Sequence, residues 1–175
     1  LHGRGLSDDT LLKWSIGYNP FDGYGIPQEW GITGESKPYL PKGVVIPCQD
    51  ADGLHYVKIR RRTGNPKYLM IVGSNIWPFG FTSFRDCTLA VFFESELDAL
   101  LAYQTGLKIG YAALPAGQLL RSNHSKYFTE IDSVAVVPDI DEKNAGIDHA
   151  QRLGQIPGFY VAPGVPYGKD LTEFY

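Results

Sequence analysis

The feature that most constrains the fold is the regular alternation of strand-like and helix-like segments after residue 88. Four short runs of β-branched, aromatic and small apolar residues are each bounded by turn-forming residues, as buried strands are. Strands that alternate with helices pair in parallel, because each crossover returns the chain to the same end of the sheet. The predicted strands are Leu89–Phe93, Lys108–Ala113, Val134–Val137 and Gly158–Ala162.

The segments between these strands predict the connecting helices. Ser95 and Asp98 have the spacing of a capping box, and Gly106 is suited to end the helix that they begin. The order is therefore β-α-β-α-β-α-β, which is typical of an open, mostly parallel sheet with flanking helices. The predicted helices are Ser95–Thr105, residues 119–129, Gly146–Leu153 and an incomplete last helix after Asp170.

Carboxylates follow the predicted strands at the points where the strands end. Glu94 follows the first strand, Asp139 and Asp141 follow the third, and Lys169 and Asp170 lie in the loop after the fourth. The carboxyl ends of parallel strands share one edge of a sheet, where ligands bind. Carboxylates gathered there repel one another unless a cation such as Mg²⁺ or Mn²⁺ neutralises them. The alternative for the Asp-x-Asp pair is a polar turn with two solvated aspartates.

The front half has a different pattern, that of a small α+β module with an antiparallel hairpin. A helix is predicted after Ser7 and is expected to end at Gly17, and residues 19–43 are predicted to be irregular. Two strand-like runs, Gly43–Pro47 and Leu54–Arg62, flank the turn residues 50–53.

The returning strand of that hairpin carries a row of cations. Lys58, Arg60 and Arg62 share one face by the two-residue period of a strand, and Lys67 follows shortly after. Cations in this arrangement suit the phosphates of a nucleic acid or nucleotide. The alternative is a solvated edge strand whose charges prevent pairing with another chain.

The change of pattern predicts two domains, residues 1–87 and 88–175. Charge changes at the same place: residues 1–88 carry ten Lys and Arg against eight Asp and Glu, and residues 89–175 carry six against eleven. A basic part that binds phosphates and an acidic part that binds metal could serve one reaction.

The acidic motifs, taken together, resemble the Toprim domain, which bacterial-type primases, topoisomerases and OLD-type and RecR-like proteins share. The resemblance rests on the order of three motifs and covers about residues 88–175. One departure is Ser95, which stands where this family usually has glycine. The motifs are residues 94–100 (ESELDAL), Asp139-Ile140-Asp141 followed by Ala145-Gly146, and Lys169-Asp170.

The front half resembles the module that precedes Toprim in DnaG-type primases. The matching segments are Arg4-Gly5-Leu6, Ile16-Gly17-Tyr18, Val44–Pro47, Gly53 before the strand that ends at residues 60–62, and Lys67-Tyr68-Leu69. The two resemblances together imply a primase catalytic core that makes short RNA primers on single-stranded DNA with Mg²⁺ or Mn²⁺. By this resemblance the catalytic residues are Glu94, Asp139 and Asp141, with Asp98 as a further metal ligand. The implied nucleotide- and nucleic-acid-binding residues are Lys58, Arg60, Arg62, Lys67, Lys169 and Asp170.

The implied partners are a single-stranded DNA template, ribonucleoside triphosphates and a replicative helicase. A Toprim nuclease, which would use the same metals to activate water, is the first alternative. A non-catalytic module that binds nucleic acid is the second. No apolar run approaches the length of a membrane span, so no membrane partner and a cytoplasmic location are expected. A phage, plasmid or other mobile element is an expected source.

Overall fold

The chain divides into two compact units in a computed structural model that describes residues 1–33, 35–114, 120–140, 144–166 and 168–174. The front unit is Asp8–Trp77, and the back unit combines Leu1–Ser7 with Pro78–Tyr175. The division precedes the expected boundary at residues 87–88 because Phe79 exchanges backbone hydrogen bonds of 2.9 and 3.0 Å with Ala113 of the back unit. The assignment of residues 1–87 and 88–175 to two functional domains remains a prediction.

The front unit is built on an antiparallel four-stranded sheet. Its strand order is β1-β4-β5-β6, and β4 and β5 form the predicted hairpin. Buried Val57, Ile59 and Ile71 form its core, and Trp30 packs against them. The elements are α1 (Asp8–Lys13), β1 (Gly17–Asn19), β2 (Gly23–Tyr24), β3 (Tyr39–Leu40), β4 (Gly43–Asp50), β5 (Gly53–Arg60) and β6 (Tyr68–Met70).

Three local expectations for the front unit were wrong. Helix α1 ends before Ser15, whose φ of 55° breaks the helix, and Gly17 instead begins β1. Residues 19–43 are not wholly irregular, since β2 pairs with β3 and Pro27–Trp30 form a 3₁₀ helix. Strand β5 ends at Arg60, two residues before the predicted end, although the Arg61 N–H still donates to the Lys67 carbonyl oxygen and the Arg61 Nε to the Pro66 carbonyl oxygen.

The back unit contains the predicted parallel sheet. Its strand order is β10-β9-β7-β8, and every neighbouring pair is parallel. The expected α/β class, with a mostly parallel sheet after an antiparallel hairpin, is confirmed. The elements are β7 (Leu89–Phe93), α2 (Glu96–Tyr103), β8 (Gly110–Ala113), β9 (Ser133–Val136), α3 (Ala145–Leu153), β10 (Phe159–Val161) and α4 (Leu171–Phe174).

Aromatic packing holds the back unit together. Phe92, at the centre of the sheet, is fully buried, and its ring contacts those of Phe81, Phe84 and Phe159. The helix predicted at 119–129 is instead a 3₁₀ helix over Ser122–Tyr127. Among the described residues, no helix is long and apolar enough to cross a membrane.

Candidate metal centre

Two neighbouring strands bring the first two carboxylates to the same edge of the parallel sheet. Glu94 directly follows β7, and Asp139 lies three residues after the end of β9. The strands pair in register, with Phe92 opposite Val136, and the Val137 N–H donates to the Phe92 carbonyl oxygen at 2.9 Å. The structure therefore places both side chains beyond the carboxyl ends of adjacent strands, as the sequence predicts. Asp141 lies outside the described residues.

Helix α2 brings a third carboxylate, Asp98. The Ser95 hydroxyl caps the helix by accepting a 3.4 Å hydrogen bond from the Asp98 N–H. Ser95 has φ −115° and ψ 141°, an extended conformation that any residue adopts, so glycine is not required there. The first turn of α2 buries Glu96 and Asp98, each only 1% exposed. Charged side chains are rarely this buried unless an interaction compensates them.

The loop after β10 completes the cluster with Asp170. Asp170 directly precedes the last turn, α4, and its Oδ1 accepts a 2.8 Å hydrogen bond from the Glu173 N–H. The Ile140 N–H donates to the Lys169 carbonyl oxygen at 2.6 Å, so the segment after β9 is bonded directly to this loop. The Lys169 Nζ lies 3.8 Å from Asp170 Oδ2 and 3.6 Å from Glu173 Oε1. Backbone pairing between loops, rather than sequence proximity, thus brings Asp170 to Asp139.

Asp98, Asp139 and Asp170 together have the donor set of a site for a hard divalent cation. One carboxylate oxygen from each lies within 4.8 Å of the other two. Mg²⁺ and Mn²⁺ prefer carboxylate oxygens, and several carboxylates at such distances bring their ligand atoms close enough to share one ion. The residues present therefore fit a divalent cation. The sequence placed Asp170 at this sheet edge and the resemblance implied a nucleotide-binding role for it; the structure brings it within reach of Asp98 and Asp139.

The crowding of carboxylates changes the acidity of Asp139. Partial burial, and then the negative charges of Glu94, Asp98 and Asp170, raise the pKa of Asp139 from 3.8 to about 7. Lys169 opposes this shift. A carboxyl that is partly protonated near neutral pH must lose its proton to bind a cation, so binding and proton release are linked.

This linkage predicts how stability depends on pH without divalent cations. Between the normal pKa of 3.8 and about 7, the folded state binds more protons than the unfolded state, so stability should fall as pH rises through that window. Added Mn²⁺ should raise the melting temperature more at about pH 8 than at about pH 5.5, because the proton competes less. Calorimetry at both pH values measures both effects. A fall of the same size in the melting temperature of Asp139→Asn over this window would contradict the assignment.

Gly146 allows the closest approach in this cluster. A Cβ placed on Gly146 would meet the backbone carbonyl oxygen of Asp139 and would lie 2.7 Å from Glu94 Oε2. The first turn of α3 therefore packs directly against both acidic residues. Ala145-Gly146 belongs to the second motif of the sequence resemblance. The structure gives the steric reason for glycine at position 146, since no Cβ fits there without a shift.

The predicted cations lie on the front sheet and in the loop that follows it. On β5 the Lys58 Nζ lies 4.9 Å from the centre of the Tyr68 ring, and the Arg60 guanidinium carbon lies 5.9 Å from it. Arg62 and Lys67 are exposed and follow the end of the strand. The structure thus brings two of the four cations together around one aromatic ring. Lys169, by contrast, belongs to the back unit.

Comparisons with known proteins bear on the fold. No protein-family model matches the chain, and no curated protein matches it. A DNA primase domain from Pseudomonas aeruginosa superposes with a TM-score of 0.76 at 19% identity, over 99% of this chain and 64% of that one. The E. coli primase catalytic core gives 0.72 at 21% identity, over 98% of this chain and 66% of that one.

A third solved structure is a DnaG primase catalytic domain bound to single-stranded DNA, with a TM-score of 0.72 at 20% identity. The match covers 99% of this chain and 64% of that one. The chain thus spans about two thirds of the length of these primase structures. At these identities the comparison establishes the fold alone. The matched region contains both units, because it covers 98–99% of this chain. The chain has the fold of a DnaG-type primase catalytic core, with a Toprim-like back unit.

Proposed function

We propose that this chain is the metal-dependent catalytic core of a primase, which joins ribonucleotides into short primers on single-stranded DNA. The observation that carries the proposal is the convergence of Asp98, Asp139 and Asp170 beside Glu94 at one edge of the parallel sheet. This acidic edge belongs to a chain whose whole length follows the fold of primase catalytic cores. One of those structures is bound to single-stranded DNA, the template proposed here.

In this proposal the 3′ hydroxyl of one ribonucleotide attacks the α-phosphate of the next, and pyrophosphate leaves. When bound, a divalent cation would supply positive charge that stabilises the reacting phosphates and the departing pyrophosphate. Asp98, Asp139 and Asp170 would provide its oxygen ligands, and Glu94 and Asp141 would act with them. The buried, capped start of α2 fixes Asp98 before any substrate binds, so the ligand need not be ordered at each turnover.

The cations of the chain have the complementary role of binding phosphates. Lys58, Arg60, Arg62 and Lys67 would attract the template backbone or the incoming triphosphate. Lys169 would reach the triphosphate from the loop that carries Asp170. The affinity for the template should therefore fall steeply as salt concentration rises.

The test is incorporation of labelled ribonucleotides on single-stranded DNA with Mg²⁺ or Mn²⁺. Glu94→Gln preserves the size of the side chain and removes its charge, so we expect synthesis to fall by about 100-fold or more. Glu130→Gln is the matched control, since Glu130 is exposed. We expect it to retain normal synthesis.

Parallel lanes with a labelled strand separate the proposal from its alternatives. Strand cleavage without synthesis, lost in Glu94→Gln, would replace the primase assignment by a nuclease that uses the same carboxylates. Binding of DNA with neither reaction would indicate a non-catalytic module.

A further inference from the structure

Lys169 carries a positive charge to the acidic edge of the back unit. Its Nζ lies 3.8 Å from Asp170 Oδ2 and 3.6 Å from Glu173 Oε1, and its side chain is 49% exposed. Both separations are longer than hydrogen bonds between an ammonium group and a carboxylate, so these are contacts between charges. The ammonium group therefore lies beside Asp170 without being fixed to it. We call Asp98, Asp139 and Asp170 the acidic triad.

The backbone of Lys169, in contrast, is fixed on both sides. Its carbonyl oxygen accepts a 2.6 Å hydrogen bond from the N–H of Ile140, the residue after Asp139, and its N–H donates to Glu173 Oε2 at 3.3 Å. The two oxygens of the Glu173 carboxylate thus contact the N–H and the ammonium group of one residue. A fixed backbone and a flexible four-carbon side chain keep the ammonium group tethered at the acidic edge.

The charge of Lys169 acts on the acidic triad beyond the carboxylate that it contacts. The side chain of Asp170 is 10% exposed and Asp98 is 1% exposed, and buried carboxylates need a compensating interaction. Burial and the neighbouring carboxylates raise the pKa of Asp139, and Lys169 opposes this increase. The ammonium group therefore compensates negative charge on at least two members of the triad.

We propose that Lys169 is a built-in counter-ion of the acidic triad, which neutralises part of its charge when no metal is bound and is displaced from Asp170 when a divalent cation binds. The two cations compete because both are attracted to the Asp170 carboxylate and each repels the other. The contacts of the ammonium group are long and its side chain is half exposed, so little interaction energy opposes its displacement.

Displacement would turn Lys169 from a ligand of carboxylates into a ligand of phosphate. An ammonium group that leaves Asp170 stays tethered beside the bound metal, where the phosphates of a nucleotide are expected. The inference deepens the proposed function and rests on it for the metal and the nucleotide. It adds that loading of the metal prepares the lysine for the substrate.

Lys169→Met tests the competition, because it removes the charge and keeps the length of the side chain. Titration calorimetry with Mn²⁺ should show binding about 5-fold to 10-fold tighter than in the wild type, since the ion no longer competes with the ammonium group. The metal-free variant should melt about 1–3 °C lower, because the triad has lost its counter-ion. A merely structural role of Lys169 would lower stability without tightening the binding of Mn²⁺.

Two further variants serve as controls for charge. Lys169→Arg keeps the positive charge and should bind Mn²⁺ within about 2-fold of the wild type. Lys108→Met is the matched control, because it makes the same change in net charge at an exposed lysine. Lys108 precedes β8 and so lies towards the opposite edge of the parallel sheet. Lys108→Met should leave the affinity for Mn²⁺ and the melting temperature unchanged.

Glu173 is a positioning residue in this inference, because its carboxylate attracts the ammonium group away from Asp170. Glu173→Gln keeps an oxygen for the Lys169 N–H and removes that attraction, so Mn²⁺ binding should weaken by about 2-fold to 5-fold. In the Lys169→Met background, the same change should alter the affinity by less than about 2-fold. Equal weakening in both backgrounds would mean that Glu173 acts on the ion directly, and would overturn its role as a positioning residue.

The displacement itself is measured by the rate at which acetic anhydride modifies each lysine, followed by mass spectrometry. Saturating Mg²⁺ should raise the rate at Lys169 by about 2-fold or more relative to Lys108, because an amine that loses its carboxylate partner is less strongly held in the protonated form. Asp139→Asn, which weakens the metal site, should reduce this increase. An unchanged rate at Lys169 when Mn²⁺ binding is intact would overturn the displacement.

The outcomes distinguish failure of this inference from failure of the proposed function. Unchanged or weaker Mn²⁺ binding in Lys169→Met, with normal binding in the wild type, would overturn the inference alone. A wild type that binds no Mn²⁺ would remove the metal centre and the inference together. A chain that binds Mn²⁺ and responds to Lys169→Met but makes no primers would retain the counter-ion and lose the primase assignment. Circular dichroism should show all variants folded.

Discussion

Replacing Asp139 by Asn should weaken binding of Mn²⁺ by about 100-fold or more, as measured by titration calorimetry. Asn preserves the volume of the side chain and supplies only a neutral oxygen, so one of the three charges that attract the cation is lost. The same change should raise the melting temperature of the metal-free protein, by about 2–5 °C, because it relieves repulsion from Glu94, Asp98 and Asp170. Opposite effects on metal binding and metal-free stability are the signature of a carboxylate cluster built for an ion.

Asp148→Asn is the matched control for this experiment. Asp148 lies on α3, is exposed and has no place in the acidic triad. It should leave metal affinity unchanged and should lower stability by no more than about 1 kcal/mol, the contribution of a carboxylate in the first turn of a helix. If Asp139→Asn binds Mn²⁺ as tightly as the wild type does, the three carboxylates of the acidic triad do not form a metal site.

Gly146→Ala should have the largest effect on folding among single conservative changes near the metal centre. Alanine improves helix propensity by up to about 1 kcal/mol, but its Cβ would overlap the Asp139 carbonyl oxygen, which belongs to the backbone and cannot move aside like a flexible side chain. We therefore expect a net loss of about 1–2 kcal/mol in the free energy of unfolding, measured by urea denaturation. Displacement of Asp139 and Glu94 should also weaken Mn²⁺ binding.

Gly17→Ala provides the comparison for a glycine without such crowding. A Cβ on Gly17 would meet only the Cβ of Val45, at 3.8 Å, an ordinary contact. Its stability should change by less than about 0.5 kcal/mol. A neutral Gly146→Ala would mean that the first turn of α3 shifts easily, and that its close packing does not position Asp139.

The order of the back-half elements was predictable because each strand is short, strongly apolar and followed at once by a polar turn. Leu89–Phe93 has the observed bounds, β8 and β10 are shorter than predicted, and β9 has the predicted length but begins one residue earlier. The structure of the segment 119–129 was harder to predict, since a short 3₁₀ helix has no distinctive spacing of apolar residues. In the front unit, the ribbon of β2 and β3 was missed because two-residue strands carry no measurable alternation.

The sequence by itself determined which residue types stand at the ends of the strands, and so predicted that Glu94 and Asp139 meet at one sheet edge. That inference works because parallel pairing places all carboxyl strand ends on the same side. The resemblance implied Asp98 as a metal ligand, and the strand order placed Asp170 at the same sheet edge. Only the tertiary structure decided that both lie close to Asp139, since the first is brought by a buried helix turn and the second by the bond between Ile140 and Lys169. It also decided how two segments of the front unit are joined, because the side chains of Asn19 and Asp22 bond the backbone about twenty residues further along the chain, and no local pattern encodes such contacts.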